Sequence, residues 1–399
     1  MALISKNRLA GDVLFIGVGL GGCRVVNSIQ QKGYECYYIN TAIGDFDALK
    51  DVANDMVYPV PKAKGCDKDM DLAMDMVGEY IEDIYNKVYS NYSKYQHIYF
   101  VFSAGGGTGA GSAPAMAEYF ARAFRETKSV GLIIILPSKD DNAMSSANAL
   151  KCLQYIEEQC PSVTSKILLD NEEEDKFVIN SAFADQIDNL LSLPENNVQQ
   201  SRVLKSADER ETLGLLATKK YIHISTISAP SKKSGSKEPY IIDSVKYIPK
   251  PDVRECVSIA VSISENTQED FNPEHLYKCY GRPIGDIKAG FNDSGCSYAY
   301  VFGTEFPTYL PERYNKWLDE FEEDKNNVEL KKANFGNVAK RDFLNRQTKT
   351  PVATSSPFAR PTTPSVIPSS NNRVNSRSSI GRRTDSLPEL TENPFKNRR

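Results

Sequence analysis

Apolar positions in the first 170 residues follow two alternating rhythms. Val13 to Val18, Cys36 to Ile39, Ile98 to Phe102 and Gly131 to Leu136 are short, nearly continuous apolar runs, the pattern of strands buried on both faces of a parallel sheet. Longer stretches with helical spacing lie between them. From Lys68 to Tyr92, the residues Met70, Met74, Val77, Ile81, Ile84 and Val88 recur at steps of 4, 3, 4, 3 and 4, which predicts one helix with all six on a single face. Strand and helix in alternation predict an α/β fold, a doubly wound parallel sheet with right-handed crossovers. Ligands of such sheets bind beyond the carboxyl ends of the strands, so the loops there are the places to look for chemistry.

A long helix is expected around residues 172 to 193, ended early or interrupted by Pro194. Beyond it, Tyr221 to Ile227, Cys256 to Ile263 and Tyr298 to Phe302 read as strands, and Tyr314, Trp317, Leu318 and Phe321 mark the buried side of a late helix. The expected division is a first domain over 1–205 that includes the central helix, a smaller mixed α/β domain over 206–330 and a tail over 331–399. In the tail the periodicity stops. Of the 23 residues from Thr350 to Asn372, 14 are Ser, Thr or Pro, so the segment buries too little to offset the cost of ordering and is expected to be disordered.

Charge sharpens that division. The formal net charge of −4 comes from 48 Lys plus Arg and 52 Asp plus Glu. Residues 331–399 hold 14 of the basic and 4 of the acidic side chains, a net of +10, which leaves 34 basic and 48 acidic in the first 330 residues, a net of −14. An acidic body carries a basic tail. With 40% apolar and 25% charged residues the composition is that of a globular chain. The eight cysteines form no C-x-x-C pair and His97, His223 and His275 stand far apart, which argues against a zinc site and for reduced thiols. MALISKNRLAGDV has no apolar stretch of signal-peptide length and no window approaches a membrane span. The expectation is a cytoplasmic protein without membrane contact.

Two loops are glycine-rich. Gly17-Val18-Gly19-Leu20-Gly21-Gly22-Cys23 follows the first strand and opens a helix. Glycines there let the backbone approach a phosphate, and the helix N-terminus offers unpaired N–H groups and a positive dipole end. Gly17, Gly19 and Gly22 also fit G-x-G-x-x-G, so a dinucleotide-binding oxidoreductase using NAD is an alternative. Gly105-Gly106-Gly107-Thr108-Gly109-Ala110-Gly111 places five glycines in seven residues after the strand Ile98 to Phe102, and Thr108 adds a hydroxyl for a phosphate or a metal-bound water. Two such loops at neighbouring strand ends suggest a polyphosphate held from two sides. The second strand ends Tyr38-Ile39-Asn40-Thr41, without the acid that a dehydrogenase places against its ribose, and neither loop carries the lysine of a P-loop.

With these residues the chain resembles the tubulin and FtsZ superfamily of GTPases. The segment Gly105 to Gly111 is similar to that superfamily's GGGTGSG loop, Gly17 to Asn27 to its first phosphate loop and Ile39-Asn40-Thr41 to its second nucleotide loop. The resemblance implies GTP with Mg²⁺ as bound species, and nucleotide contacts from Gly19, Leu20, Gly21, Gly22, Cys23, Asn40, Gly105, Gly106, Gly107, Thr108 and Gly109. It further implies Asp141, four beyond Pro137, at the ribose, Asn171 at the guanine edge, and Phe183 stacked on the base with Asp185 or Asn180 as its polar partner. No metal-ligating cluster is visible. Ser206-Ala207-Asp208-Glu209-Arg210-Glu211 resembles the hydrolytic loop that acts on the next subunit's nucleotide, so Asp208 and Glu209 are the implied catalytic acids. Lys205 stands where the first of two paired acids is expected, and Ser145 where a basic residue is expected.

The divergent sequence and basic tail are most like the plasmid and phage branch, the TubZ proteins. That resemblance implies a GTPase activated by polymerisation into head-to-tail filaments of itself, which move DNA through a tail contacting a DNA-bound helix-turn-helix adaptor. In the tail, Arg373, Arg377, Arg382 and Arg383, then Lys396, Arg398 and Arg399, flank Leu387-Pro388-Glu389-Leu390 and are the route to an adaptor or to DNA itself. The acidic body repels DNA. An FtsZ-like division filament and a nucleotide-binding scaffold with impaired hydrolysis are the alternatives within the fold.

Overall fold

The computed structural model describes residues 8–124, 127–195, 205–228, 241–252, 254–264, 271–292 and 294–325; the tail expected over 331–399 lies outside them. The apolar runs are strands β1 (Val13–Val18), β2 (Glu35–Asn40), β4 (His97–Ser103) and β5 (Ser129–Leu136), joined by β3 (Val57–Pro59) and β6 (Ser165–Asp170). They lie side by side in the order β3-β2-β1-β4-β5-β6, all parallel.

Because successive side chains of a strand point to opposite faces, each strand feeds two cores. Leu14, Ile16 and Val18 of β1 join a cluster with α2 (Met70–Gly78), α3 (Ile81–Tyr92), α4 (Thr108–Phe124) and α5 (Ala143–Gln159). Val13 and Phe15 join the other cluster, with α1 (Gly19–Gln30) and the central helix α6 (Lys176–Leu191). Helices on both faces leave the strand ends as the place where loops converge.

The second half extends the same sheet. Strand β8 (Lys220–Ser228) pairs parallel with β6 through Ser165 with Lys220 and Lys166 with Tyr221, and the order continues β8-β12-β10-β11-β7, with β9 (Ile241–Ser244) antiparallel to β8. Here β7 is Lys205–Ser206, β10 Ser258–Ser264, β11 Ile287–Asn292 and β12 Ser297–Thr304, with α7 (Glu209–Leu216) and α8 (Glu274–Tyr280) between them. Only β12 is antiparallel to both of its neighbours, so β7, β10 and β11 point the same way as β1. A last helix, α9, begins at residue 309 and is helical to the end of this compact unit at 321. Its Leu310, Tyr314 and Trp317 are buried against the α2–α5 side.

Two helices differ from the periodicity. The helix expected over Lys68 to Tyr92 breaks after Gly78 into α2 and α3; glycine lacks the side chain that favours helix, and Tyr80 turns the chain with φ −113 and ψ 11. The break preserves the apolar face, since Met74, Val77, Ile81, Ile84 and Val88 are all buried. The central helix starts at Lys176 rather than near 172, because the Asp175 side chain accepts the Phe177 (2.9 Å) and Val178 (3.4 Å) amides and caps it there. Pro194 falls beyond its end. Among the described residues no helix is long and apolar enough to cross a membrane.

His97 opens β4 fully buried, with Nδ1 2.5 Å from the Ser129 hydroxyl and Nε2 unpartnered; burial pushes its pKa down to about 3. Burial likewise pushes His223 down to about 4. Both are neutral in the fold while the unfolded chain takes up protons from its ordinary value near 6.5. Their contribution is therefore complete above that value and is lost as pH falls below it, each by on the order of 1 kcal/mol per pH unit. The urea midpoint should fall between pH 7 and pH 5, and in His97→Asn the fall should be visibly shallower.

Candidate nucleotide-binding site

Strand β1 ends at Val18, and α1 begins at once with Gly19 at φ +69, a conformation that side chains disfavour. A Cβ there would lie 3.1 Å from the Gly109 amide nitrogen and 3.3 Å from Thr108 Cβ. The two glycine loops thus touch backbone to backbone. The N-termini of α1 and α4 converge on the same point, each with unpaired N–H groups and a positive dipole end. A third segment closes over them. A Cβ on Gly107 would meet Cys66 Sγ at 2.5 Å and Lys68 Cα at 2.8 Å, so this glycine admits the 65–69 loop rather than a ligand.

Together the three segments wall a cavity of about 500 Å³, within the range of small-ligand sites, roughly 300–1,000 Å³. Gly19, Leu20, Gly21, Gly105, Gly106, Gly107, Thr108 and Gly109 all line it. The Thr108 hydroxyl lies 2.6 Å from that of Thr41 and 3.3 Å from Cys66 Sγ. Asn40 also lines the cavity and donates to Asp45 at 2.8 Å.

A cation that sequence reasoning missed stands in this wall. Lys68 Nζ lies 2.6 Å from Ser145 Oγ and 3.1 Å from Asn142 Oδ1, both neutral acceptors. Its own carbonyl accepts from Asn148 Nδ2 at 2.8 Å, and the same amide donates to Gly106 O at 3.0 Å. The lysine loop and the glycine loop are pinned by one side chain. Lys68 brings a positive charge to Ser145, where a basic residue was expected; only loop closure, invisible in the sequence, puts it there.

The opposite wall carries Asp141, Asn171 and Asn180. Asp141 accepts from the Ser138 amide at 3.1 Å and pairs with Lys176 at 3.2 Å. The Asn171 amide donates to Leu136 O at 3.3 Å, which fixes its turn. Phe177, 67% exposed in the first turn of α6, lines the cavity beside Arg24, whose guanidinium is 5.8 Å from the ring centroid. The cap at Asp175 was the sequence signal that could have found it.

Several expected contacts fall elsewhere. Phe183 is fully buried in the core between α6 and the sheet, because helical spacing turns it inward with Ile179 and Ile187; it cannot stack on a ligand in the cavity, whereas Phe177 borders it. Asp185 sits on the outer side of α6, paired with Lys32, so of the two polar candidates Asn180 reaches the cavity. Gly22 and Cys23 lie beneath the loop. A Cβ on Gly22 would fall 1.9 Å from Val101 O, so this glycine lets α1 pack on β4. Cys23 Sγ is buried against Gly17 O at 3.5 Å, and burial pushes its thiol well up.

Asp208 and Glu209 are not in the cavity. Asp208 caps α7, its carboxylate accepting the Glu211 amide at 2.7 Å while Glu211 returns a bond to the Asp208 amide at 3.1 Å. Burial and then the charge of Glu209 raise the pKa of Asp12, the residue just before β1. Glu211 also pairs with Lys288 near the start of β11, which runs the same way as β1, so the first turn of α7 lies toward the amino ends of the strands, opposite the glycine loops. Lys205, in the place of an expected acid, pairs with Asp286 at 2.6 Å and holds that carboxyl below its ordinary range. Among the described residues no group of three or more His, Cys, Asp or Glu is placed to hold a metal ion.

Residues 12–177 match the tubulin/FtsZ family, GTPase domain. The chain is 26% identical over 217 residues to the tubulin-like protein TubZ of Clostridium botulinum C phage, covering 53% of this chain and 58% of that protein. It is 24% identical over 239 residues to the tubulin-like protein CetZ of Pyrococcus abyssi, covering 56% and 64%. The matched segments span less than two thirds of these relatives' own lengths. Among solved structures, Clostridium botulinum phage c-st TubZ with its C-terminal tail truncated is similar at a TM-score of 0.68 and 22% identity, covering 79% of this chain and 100% of that one. A GTPγS-form protofilament of Bacillus thuringiensis serovar israelensis TubZ is similar at 0.64 and 16%, covering 82% and 97%. These structures share the fold.

The two phenylalanines should separate cleanly. Phe183→Ala should cost about 3–5 kcal/mol in denaturant unfolding, whereas Phe177→Ala should leave stability within about 0.5 kcal/mol. Phe177→Ala should instead weaken binding of a fluorescent guanine nucleotide by about tenfold, the scale of a lost base–aromatic contact.

Proposed function

We propose that this chain, whose residues 12–177 match the tubulin/FtsZ family, GTPase domain, binds GTP in the cavity, assembles head to tail and hydrolyses the nucleotide where one subunit meets the next. One observation carries the reading: the cavity lies at the carboxyl ends of β1 and β4, while the first turn of α7, through Glu211 and Lys288, lies at the amino end of β11, so Asp208 and Glu209 are placed to serve the cavity of another copy. A second copy stacked along the strand direction brings them to it, and a head-to-tail contact that does not close produces a filament. The exposed apolar side chains fit such stacking. Ile43, Met144, Phe177 and Val178 are each more than half exposed on the glycine-loop side, and Ile284, just before β11, is 89% exposed at the other end.

In this mechanism the α1 and α4 N-termini and the glycine-loop amides hold the phosphates, with Lys68 adding positive charge. Asp141, braced by Lys176, takes the ribose. Asn171 and Asn180 pair with the guanine edge, where an unmatched buried donor would exclude adenine. The Thr41 and Thr108 hydroxyls, 2.6 Å apart in the cavity wall, are the neutral oxygens that would help hold Mg²⁺, which would supply neutralisation of phosphate charge. Asp208 fixes the first turn of α7, and Glu209 of the neighbouring subunit orients the attacking water. Self-association is supported by related structures that are themselves assemblies, a protofilament and a two-stranded filament of TubZ. The cellular reading is cytoplasmic partition of plasmid or phage DNA, with the basic tail docking on a DNA-bound helix-turn-helix adaptor.

Turnover per subunit should rise with protein concentration in step with pelleted polymer; a flat rate with no pellet would sink the shared site. Glu209→Gln should bind GTP and pellet yet lose about 10²-fold or more in turnover. Asp208→Asn, which keeps a good cap, should unfold within about 0.5 kcal/mol of wild type, and Asp208→Ala about 1 kcal/mol earlier. A chain lacking residues 340–399 should still pellet with GTP but no longer carry adaptor-bound DNA into the pellet; loss of assembly itself would contradict that division.

A further inference from the structure

Helix α9 lines no part of the cavity, yet it bonds to both loops of the base and ribose wall. Arg313 Nη1 lies 2.5 Å from Asp170 Oδ2 and Nη2 3.2 Å from Oδ1, a forked pair with the Asp170 side chain 4% exposed and that of Arg313 18%. Arg313 Cζ lies 5.0 Å from the Trp317 ring centroid and 5.1 Å from that of Tyr314, the two rings packed edge to face 5.3 Å apart beside it. Asp170 ends β6, and its Oδ1 also accepts the Glu172 amide at 3.2 Å, so its carboxylate brackets Asn171. On the other loop, the Tyr314 hydroxyl accepts from Arg313 at 3.1 Å and donates to Pro137 O at 3.4 Å. The loops are also tied to each other, the Lys139 amide donating to the Glu172 carboxylate at 2.6 Å, while Lys139 Nζ pairs with Glu320 of α9 at 2.7 Å.

We infer that Arg313 is a positioning residue for base and ribose recognition: through Asp170 it sets the turn that presents Asn171, and through Tyr314 it fixes the Pro137 loop that presents Asp141. The inference deepens the nucleotide reading and rests on it. A buried ion pair is a weak source of net stability, since apolar residues of equal volume often serve as well. What the fork supplies is direction. A planar guanidinium bonded to both carboxylate oxygens, with Nη2 also on the Tyr314 hydroxyl, favours one orientation of the carboxylate, and lysine, a point charge on a flexible stem, does not reproduce it.

The test uses the full chain carrying Arg313→Lys or Tyr314→Phe. Affinities for GTP, ITP and GDP are measured by displacement of a fluorescent guanine nucleotide, with amide hydrogen exchange at Lys139, Asn171 and Glu172. ITP lacks the guanine amino group. In Arg313→Lys the preference for GTP over ITP should fall by about tenfold, the scale of an indirect coupling, while the ratio of GTP to GDP affinity stays as in wild type. Tyr314→Phe, nearly isosteric, should weaken GTP by about threefold, one hydrogen bond's worth. All three amides should exchange faster in both variants. An Arg313→Lys protein with a lower melting temperature but unchanged nucleotide preference and loop exchange would overturn the inference. Should that variant not fold, unchanged affinity and exchange in Tyr314→Phe would do the same. A wild type without preference for GTP over ITP contradicts the guanine reading instead, and the amide exchange then decides the role of Arg313 alone.

Discussion

At the carboxyl ends of β1 and β4 two backbones meet with no room for a side chain between them. The contact of Gly19 with Gly109 brings two helix N-termini to one point, concentrating unpaired amides and positive dipole ends there. Everything around the cavity answers to that concentration. The 65–69 loop can close only because Gly107 leaves space for it, and its closing delivers Lys68. Asn148 then ties the closed loop to the glycine loop through two carbonyls. A side chain at the first contact would press the two helix N-termini apart by a few tenths of an ångström and strain the positive φ of Gly19.

What was legible in the sequence was what short-range physics determines. Apolar runs marked the buried strands, and glycine runs after strands marked the two loops, because both signals lie within a few residues. The misreadings share a cause. Phe183 and Phe177 sit on the same helix, and choosing between them requires knowing which face the sheet covers. That follows from packing, though the cap at Asp175 offered a local hint. Lys68 belongs to the cavity only through contacts with residues 145 and 148, far along the chain. The break at Gly78 kept the apolar face continuous, so periodicity alone could not reveal it. At Asp208 a helix cap and a functional acid make the same demand on sequence, and the structure shows the cap in place.

The sheet is continuous, but its seams are unequal. Strands β4 and β5 stay in register along the whole length from His97 to Ser103, whereas β6 and β8 pair at Ser165 with Lys220 and at Lys166 with Tyr221, near the start of both strands. Past that point the join passes from ladder to other contacts: the Asp170 amide donates to Tyr247 O at 2.8 Å, and the Tyr300 hydroxyl of β12 donates to Gln186 O of α6 at 2.7 Å. Ile222 and Ile224 of β8 and Tyr300 and Phe302 of β12 share one core with α6. The seam that is shortest in ladder bonds is therefore the one the central helix bridges, so the same helix that carries Phe177 and Asn180 to the cavity also fastens the two halves of the sheet.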